Sequence, residues 1–332
     1  MKRIILKKLL WLPLIALLLN GCAVGKKVTP DIAHSRIEEA LTNERNTAQD
    51  TFEQKVVIDV HNINNEYHMF GNDFDKVKTT ILIKGQDLNT DRKKFKMNVD
   101  MDLRILKDVR KMIDIIGTEK VYYVDDYLYE NFRYKYRRAD EFFFTKEHVK
   151  YKSNVGKIYF TPGEKLVSYI NSNLLPGVIP TQIDYNAMLQ YIERRPQNVI
   201  ARELAGILTI KFSLSEEDYI RDQAIQSLGH LDYYNLTDEE KALVENQIQA
   251  KIKEIRDKYS LKKHQFMIQV GQDGFIRKTV LERNLSHTYK LCESCSESTK
   301  TIRDKVEITT KINKNVIIVF PPFRGYLQIA PS

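Results

Sequence analysis

Catalytic signatures are missing from this chain, and each absence closes a class of function. There is no G-x-S-x-G nucleophile elbow and no H-E-x-x-H metal pair. The seven histidines (His34, His61, His68, His148, His230, His264 and His287) are scattered instead of gathering at ligand spacing. Glycine is sparse, 13 in 332 residues, and no glycine-rich run is there to wrap a phosphate. Cysteine is limited to three residues. No internal repeat and no low-complexity tract is visible. These absences describe a non-enzymatic protein for which neither a metal nor a cofactor is expected.

Charge of one sign does not dominate. Lys and Arg number 52 against 44 Asp and Glu, a net +8 at pH 7. Lys2, Arg3, Lys7 and Lys8 lie in the first eight residues, so about +4 remains on the rest when whole formal charges are counted. Along the sequence that surplus is diluted among acidic neighbours. Nothing resembles the concentrated patch that nucleic acid requires, and a mildly basic face near an anionic membrane is the most it permits.

What is present begins at the N-terminus. The four cations precede an apolar run of eleven residues, Leu9 to Leu19, against the ~20 that a spanning helix needs. A positive start and a short apolar middle describe a secretory signal peptide over 1–21. Leu19-Asn20-Gly21-Cys22 resembles a bacterial lipobox. That resemblance implies cleavage before Cys22 and acylation of its sulfur, hence a lipid-anchored protein on the outer face of a cell membrane. Several acyl chains, at ~0.8 kcal/mol per buried CH₂, anchor stably. Residues 22–30 then read as a short tether that keeps the domain near the bilayer.

Beyond Pro30 the period changes several times. Residues 31–54 predict a helix, with Thr29, Pro30 and Asp31 suited to its start. Strands follow at 56–63, 78–85, 95–103 and 110–117, then an aromatic hairpin over 120–138. Folding that hairpin at Asp125-Asp126 sets Val124 opposite Tyr127, Tyr123 opposite Leu128 and Tyr122 opposite Tyr129. Helices are predicted over 163–173 and 184–195, and a strand over 205–214. Ser215 and Thr237 begin capping-box patterns for two further helices. The apolar stripes of those helices are Ile220, Ala224, Leu228, Leu231 and Ile248, Ile252, Ile255, Tyr259. The chain closes on two hairpins, 264–270 with 275–283 and 299–312 with 316–320. The whole predicts an α+β fold over 31–332: one curved antiparallel sheet with helices packed on its concave face.

The helix–meander start, the hairpin YYVDDYLYENFRYKY, the junction ILTIKFSLSEED and the closing VIIVFPPFRGYLQI resemble Gram-positive lipoproteins of the LolA/LppX-like superfamily. The likeness spans Asp31 to Ile329, and Asp126 departs from it where glycine is common. The resemblance implies an unclosed half-barrel with helices in its mouth and an apolar cavity between, where some relatives carry lipids or lipidated cargo.

Site candidates follow from the strand FKMNVDMDL. Phe95, Met97, Val99, Met101 and Leu103 share one face and are the expected cavity wall, with methionine able to adapt to acyl chains. The expected occupant is a lipid, an acyl chain or a lipidated polypeptide. The alternative is a cell-envelope interaction protein with a filled core, docking a partner through its tyrosine hairpin. Arg133, Lys135, Arg137 and Arg138 alternate with Tyr134 and Tyr136, a pattern that suits anionic headgroups or a solvated edge strand. Cys292-Glu293-Ser294-Cys295 lies in a polar connection without the helix start of a redox motif or the further ligands of zinc. A local disulfide staple or two free thiols fit it better.

Overall fold

The structure, a computed structural model, describes residues 25–61, 74–106, 112–138, 140–160, 164–174, 185–229, 233, 236–289 and 298–329. Thirteen strands form one sheet. In chain order they are β1 Lys26–Val28, β2 Phe52–His61, β3 Phe74–Gln86, β4 Lys94–Leu106, β5 Met112–Val124, β6 Tyr127–Arg138 and β7 Thr145–Asn154. Then come β8 Val199–Leu204, β9 Ile207–Ser213, β10 Tyr259–Val270, β11 Ile276–Tyr289, β12 Ser298–Ile312 and β13 Leu327–Gln328. Among the described residues five α-helices join them: α1 Pro30–Asn46, α2 Leu166–Tyr169 with a π-turn after it, α3 Tyr185–Arg194, α4 Glu216–Ser227 and α5 Asp238–Ile255. None is long and apolar enough to cross a membrane among the described residues.

The strand order is β1-β8-β9-β10-β11-β12-β2-β3-β4-β5-β6-β7-β13. All neighbours are antiparallel except β13, which runs parallel to β7. β12 pairs with β2 from Ile312 opposite Phe52 to Arg303 opposite His61, so the early and late strands belong to one sheet. Its two ends are β1 and β13, short strands, of which β13 pairs only with Tyr151 and Lys152 of β7. The sheet is therefore unclosed, and the fold is α+β as expected.

Local chemistry explains the register. Asp125 and Asp126 have φ of 50° and 67°, the doubly left-handed turn whose twist matches an antiparallel pair. Val124 faces Tyr127, Tyr123 faces Leu128 and Tyr122 faces Tyr129, as the alternation predicts. Ser215 accepts from the Asp218 N–H at 3.1 Å to start α4. Thr237 and Glu240 form a reciprocal capping box at the start of α5.

Several elements differ from the sequence reading. The strand predicted over 205–214 is β9, Ile207–Ser213, and what the sequence did not reveal is β8 before it, turned back into β9 at Ala205 and Gly206, both with positive φ. Residues 316–320 form no ladder, because β12 already has β11 on one side and β2 on the other. Within the stretch read as a tether, Lys26–Val28 is strand β1, paired with β8. Tyr259 begins β10 and is not in α5, although it still packs with Ile248, Ile252 and Ile255 of that helix. Leu231 lies outside the described residues.

One face of the sheet carries the helices. Register sets Ala201 of β8 in line with Ile268, Val56 and Val99, and finally with Glu119 of β5. Ala33, Ile37 and Ala40 of α1 and Met188 and Ile192 of α3 pack onto the β8–β11 part of that face. Leu166 and Ile170 pack onto the β2–β6 part. α4 and α5 bury their stripes largely against each other, and Tyr219 alone of α4 joins the sheet residues Leu261, Leu285 and Ile302.

Candidate functional site

The strand β4 lies near the middle of the helix-bearing face. Phe95, Met97, Val99 and Leu103 are 0–4% exposed, and Met101 is half-buried. At the Phe95 end the space is filled. Leu88, Ile158, Leu166 and Ile170 join the same cluster, and Phe95 stacks on Tyr123 at 5.5 Å. The Tyr123 hydroxyl donates to the Gly156 carbonyl at 3.1 Å and accepts from the Ile158 N–H at 3.2 Å. Gly85 allows this closeness: a Cβ there would stand 2.6 Å from Leu166 Cδ2. Farther along β4 the row is part-open at Met101 alone, with Leu103 beyond it buried again, and on β5 Ile113 and Ile115 are half-buried at the edge of the cluster.

Two carboxylates stand beside that part-open stretch. Glu119 faces Val99 on one side and Phe132 on the other, and Glu130 is its diagonal neighbour across β5 and β6. Glu119 is 7% exposed. Neither carboxylate makes a hydrogen bond or ion pair among the described residues. Burial first, and then the charge of Glu130, push the Glu119 carboxyl up to about 7. Burial also raises Glu130. A third acid on this face, Glu147, accepts a hydrogen bond from the Tyr134 hydroxyl. The Thr79 hydroxyl, 2% exposed, finds no partner. It lies on the same face, with Met101 between it and β5.

The strand alternation segregates the cations. On the helix-bearing face of β3–β7, the described residues include no Lys or Arg until Arg138 at the end of β6. The opposite face of β4–β7 gathers Lys96, Lys120, Arg133, Lys150 and Lys152, which outnumber the acids Asp100, Asp102 and Asp114 there. Surplus positive charge that looked diluted along the sequence is thus concentrated in space, because these cations fall on one parity of the strands. Lys96 is held below the usual lysine range by burial and by its neighbours Lys120 and Lys84. Lys152 sits 3.9 Å from the centre of the Tyr127 ring.

Other polar features lie elsewhere. A cleft of about 560 Å³ opens beyond the Asp125–Asp126 turn, between Asp87, Asp91, Arg92, Lys93 and Lys157. It is polar, and none of the five predicted wall residues lines it. Glu44 of α1, pushed up to about 7 chiefly by burial, accepts from the Ile276 N–H at 3.2 Å. Among the described residues no group of three or more His, Cys, Asp or Glu is placed to hold a metal ion. Cys22, Cys292 and Cys295 lie outside the described residues.

Sequence reasoning missed Glu119 and Glu130. The signal was present: once Tyr123 and Leu128 point inward, counting by twos along each strand carries Glu119 and Glu130 inward too.

Fold and site together define an α+β protein on a single unclosed sheet, with acids buried in an otherwise apolar face. No family model and no curated protein matches the sequence. Among solved structures, the chain is similar to a β-barrel-like protein of a domain of unknown function (DUF1849) from Brucella abortus. The identity is 8%, the match covers 80% of this chain and 99% of that one, and the TM-score is 0.20.

Proposed function

We propose that the protein is an extracytoplasmic lipoprotein, anchored to a membrane through Cys22, that binds the apolar part of an amphiphile and catalyses nothing. In this reading the fold is LolA/LppX-like: a half-barrel whose concave face carries the helices. The observation that supports it is the row on β4, sealed under α2 at Phe95 and Met97 but half-buried at Met101, beside Ile113 and Ile115. Apolar side chains left part-open within a covered face are what an acyl chain would complete. Native mass spectrometry of the protein purified from membranes tests this. A lipid should accompany the intact chain, and Met101→Glu should lower its recovery severalfold. Recovery of a ligand-free protein, unchanged by the substitution, would refute the reading.

A second reading draws support from the filled end. Phe95 and Met97 lie 0–2% exposed in a cluster that includes the chain's own Leu88, Ile158 and Leu166. On that basis the protein is a cell-envelope interaction lipoprotein with a protein partner. Crosslinking in cells separates the two, since only the second predicts one recurrent attached protein.

A further inference from the structure

We infer that the part-open stretch of the helix-bearing face selects an amphiphile with a positively charged headgroup, held by the Glu119 and Glu130 carboxylates while its chain lies on Met101, Ile113 and Ile115. This rests on the amphiphile reading above and names the class of ligand.

The first support is Glu119 itself. It is only 7% exposed, and no hydrogen bond or cation compensates it among the described residues. Charges this buried are ordinarily paired. Its closest ionisable neighbour is another acid, Glu130, which raises the need for an outside cation. An organic ammonium between the two would supply it.

The second support is independent of that pair. Thr79, on the same face across Met101, keeps a hydroxyl with no partner at 2% exposure. A buried donor and acceptor without a bond normally awaits a water or a ligand. The third is the charge map: acids Glu119, Glu130 and Glu147 fall on this face, while Lys96, Lys120, Arg133, Lys150 and Lys152 fall on the other. The rings of Phe132 and Tyr134 flank the carboxylates on β6 and favour an ammonium further. An anionic headgroup would meet repulsion from all three acids.

Calorimetric titration of the full chain with three amphiphiles of equal chain length tests the inference. Dodecyltrimethylammonium, dodecyl maltoside and dodecanoate are each kept below micelle formation, at about pH 8, where carboxyls are ionised. The cation should bind about tenfold tighter than the neutral maltoside, with dodecanoate weakest. In the double variant Glu119→Gln, Glu130→Gln the cation and the maltoside should converge to within about twofold. Should the double variant not fold, Glu130→Gln alone, at the half-exposed member, must still shrink the preference. Equal binding of cation and maltoside by the unaltered chain overturns the charge selection and leaves the acyl site standing. So does a cation preference that survives the substitutions. Failure of all three amphiphiles to bind overturns the acyl site as well.

Discussion

Glu119 gives the folded chain a pH response whose sign is fixed. Its carboxyl is raised from 4.5 to about 7 by burial and by Glu130, so the folded state prefers the protonated form more than the unfolded state does. That contribution is complete below about pH 4.5 and is lost as pH rises through about 7. Glu44 behaves in the same direction, raised to about 7 mainly by burial. His264 opposes them. Burial, and then Arg283, hold its imidazole down to about 4, so its contribution is present above about pH 6.5 and falls away as pH drops through about 4. Stability should therefore peak at mildly acid pH. Glu119→Gln isolates one arm, because Glu44 and His264 remain in both proteins. At about pH 4 the variant and parent should unfold alike in denaturant. Near pH 8 the variant should be the more stable, by up to ~3 kcal/mol, since each tenfold change in proton affinity between the two states is worth about 1.4 kcal/mol. Superimposable pH profiles would show that Glu119 ionises freely.

Strands explain why part of this was legible and part was not. The β5–β6 hairpin could be registered from letters alone, because two aspartates punctuate an alternating aromatic run and Asp tolerates positive φ. The β8–β9 turn was hidden, since Ala205 seldom marks a turn and was read as the start of the strand that follows it, which left β8 unpredicted. The run VIIVF has every β-forming residue, yet a strand needs a free neighbour as well as propensity, and β12 had none to give. The acids of the site were overlooked because a carboxylate in a strand is solvated by default. Gly117 is the element-scale test of the site's geometry. A Cβ there would stand 2.6 Å from the Tyr134 Cβ and 2.7 Å from the Arg133 carbonyl oxygen, so β5 and β6 approach closely only because the position is bare. Gly117→Ala must part these strands beside Glu119 and should lower stability by ~1–3 kcal/mol, the usual range for overpacking. A thermal melt unchanged by the substitution would mean that the strands have slack.

Across the whole molecule, the C-terminal segment covers what the sheet leaves bare. It crosses the face opposite the helices, where Phe323 stacks on Tyr129 at 3.8 Å and both Phe320 and Phe323 meet Tyr122 edge-on. Tyr326 closes on Tyr129 from a third side. β13 then pairs with Tyr151 and Lys152 of β7, the last full strand of the sheet. A chain ending at Val316 keeps that buried residue but loses the cover. Two tyrosine rings and the part of the β7 edge at Tyr151 and Lys152 would be uncovered together, a combination that favours strand-to-strand association. Lys146, Lys150 and Lys152 on β7 oppose it by repulsion. Repulsion between exposed lysines is screened by salt, whereas ring burial is not. The truncated chain should therefore sediment as a monomer at low ionic strength and associate progressively as salt is added, while the full chain shows no such trend. Equal monomeric sedimentation of both chains at high salt would mean that the lysines alone protect the edge and that the aromatic clasp serves only to hold the tail.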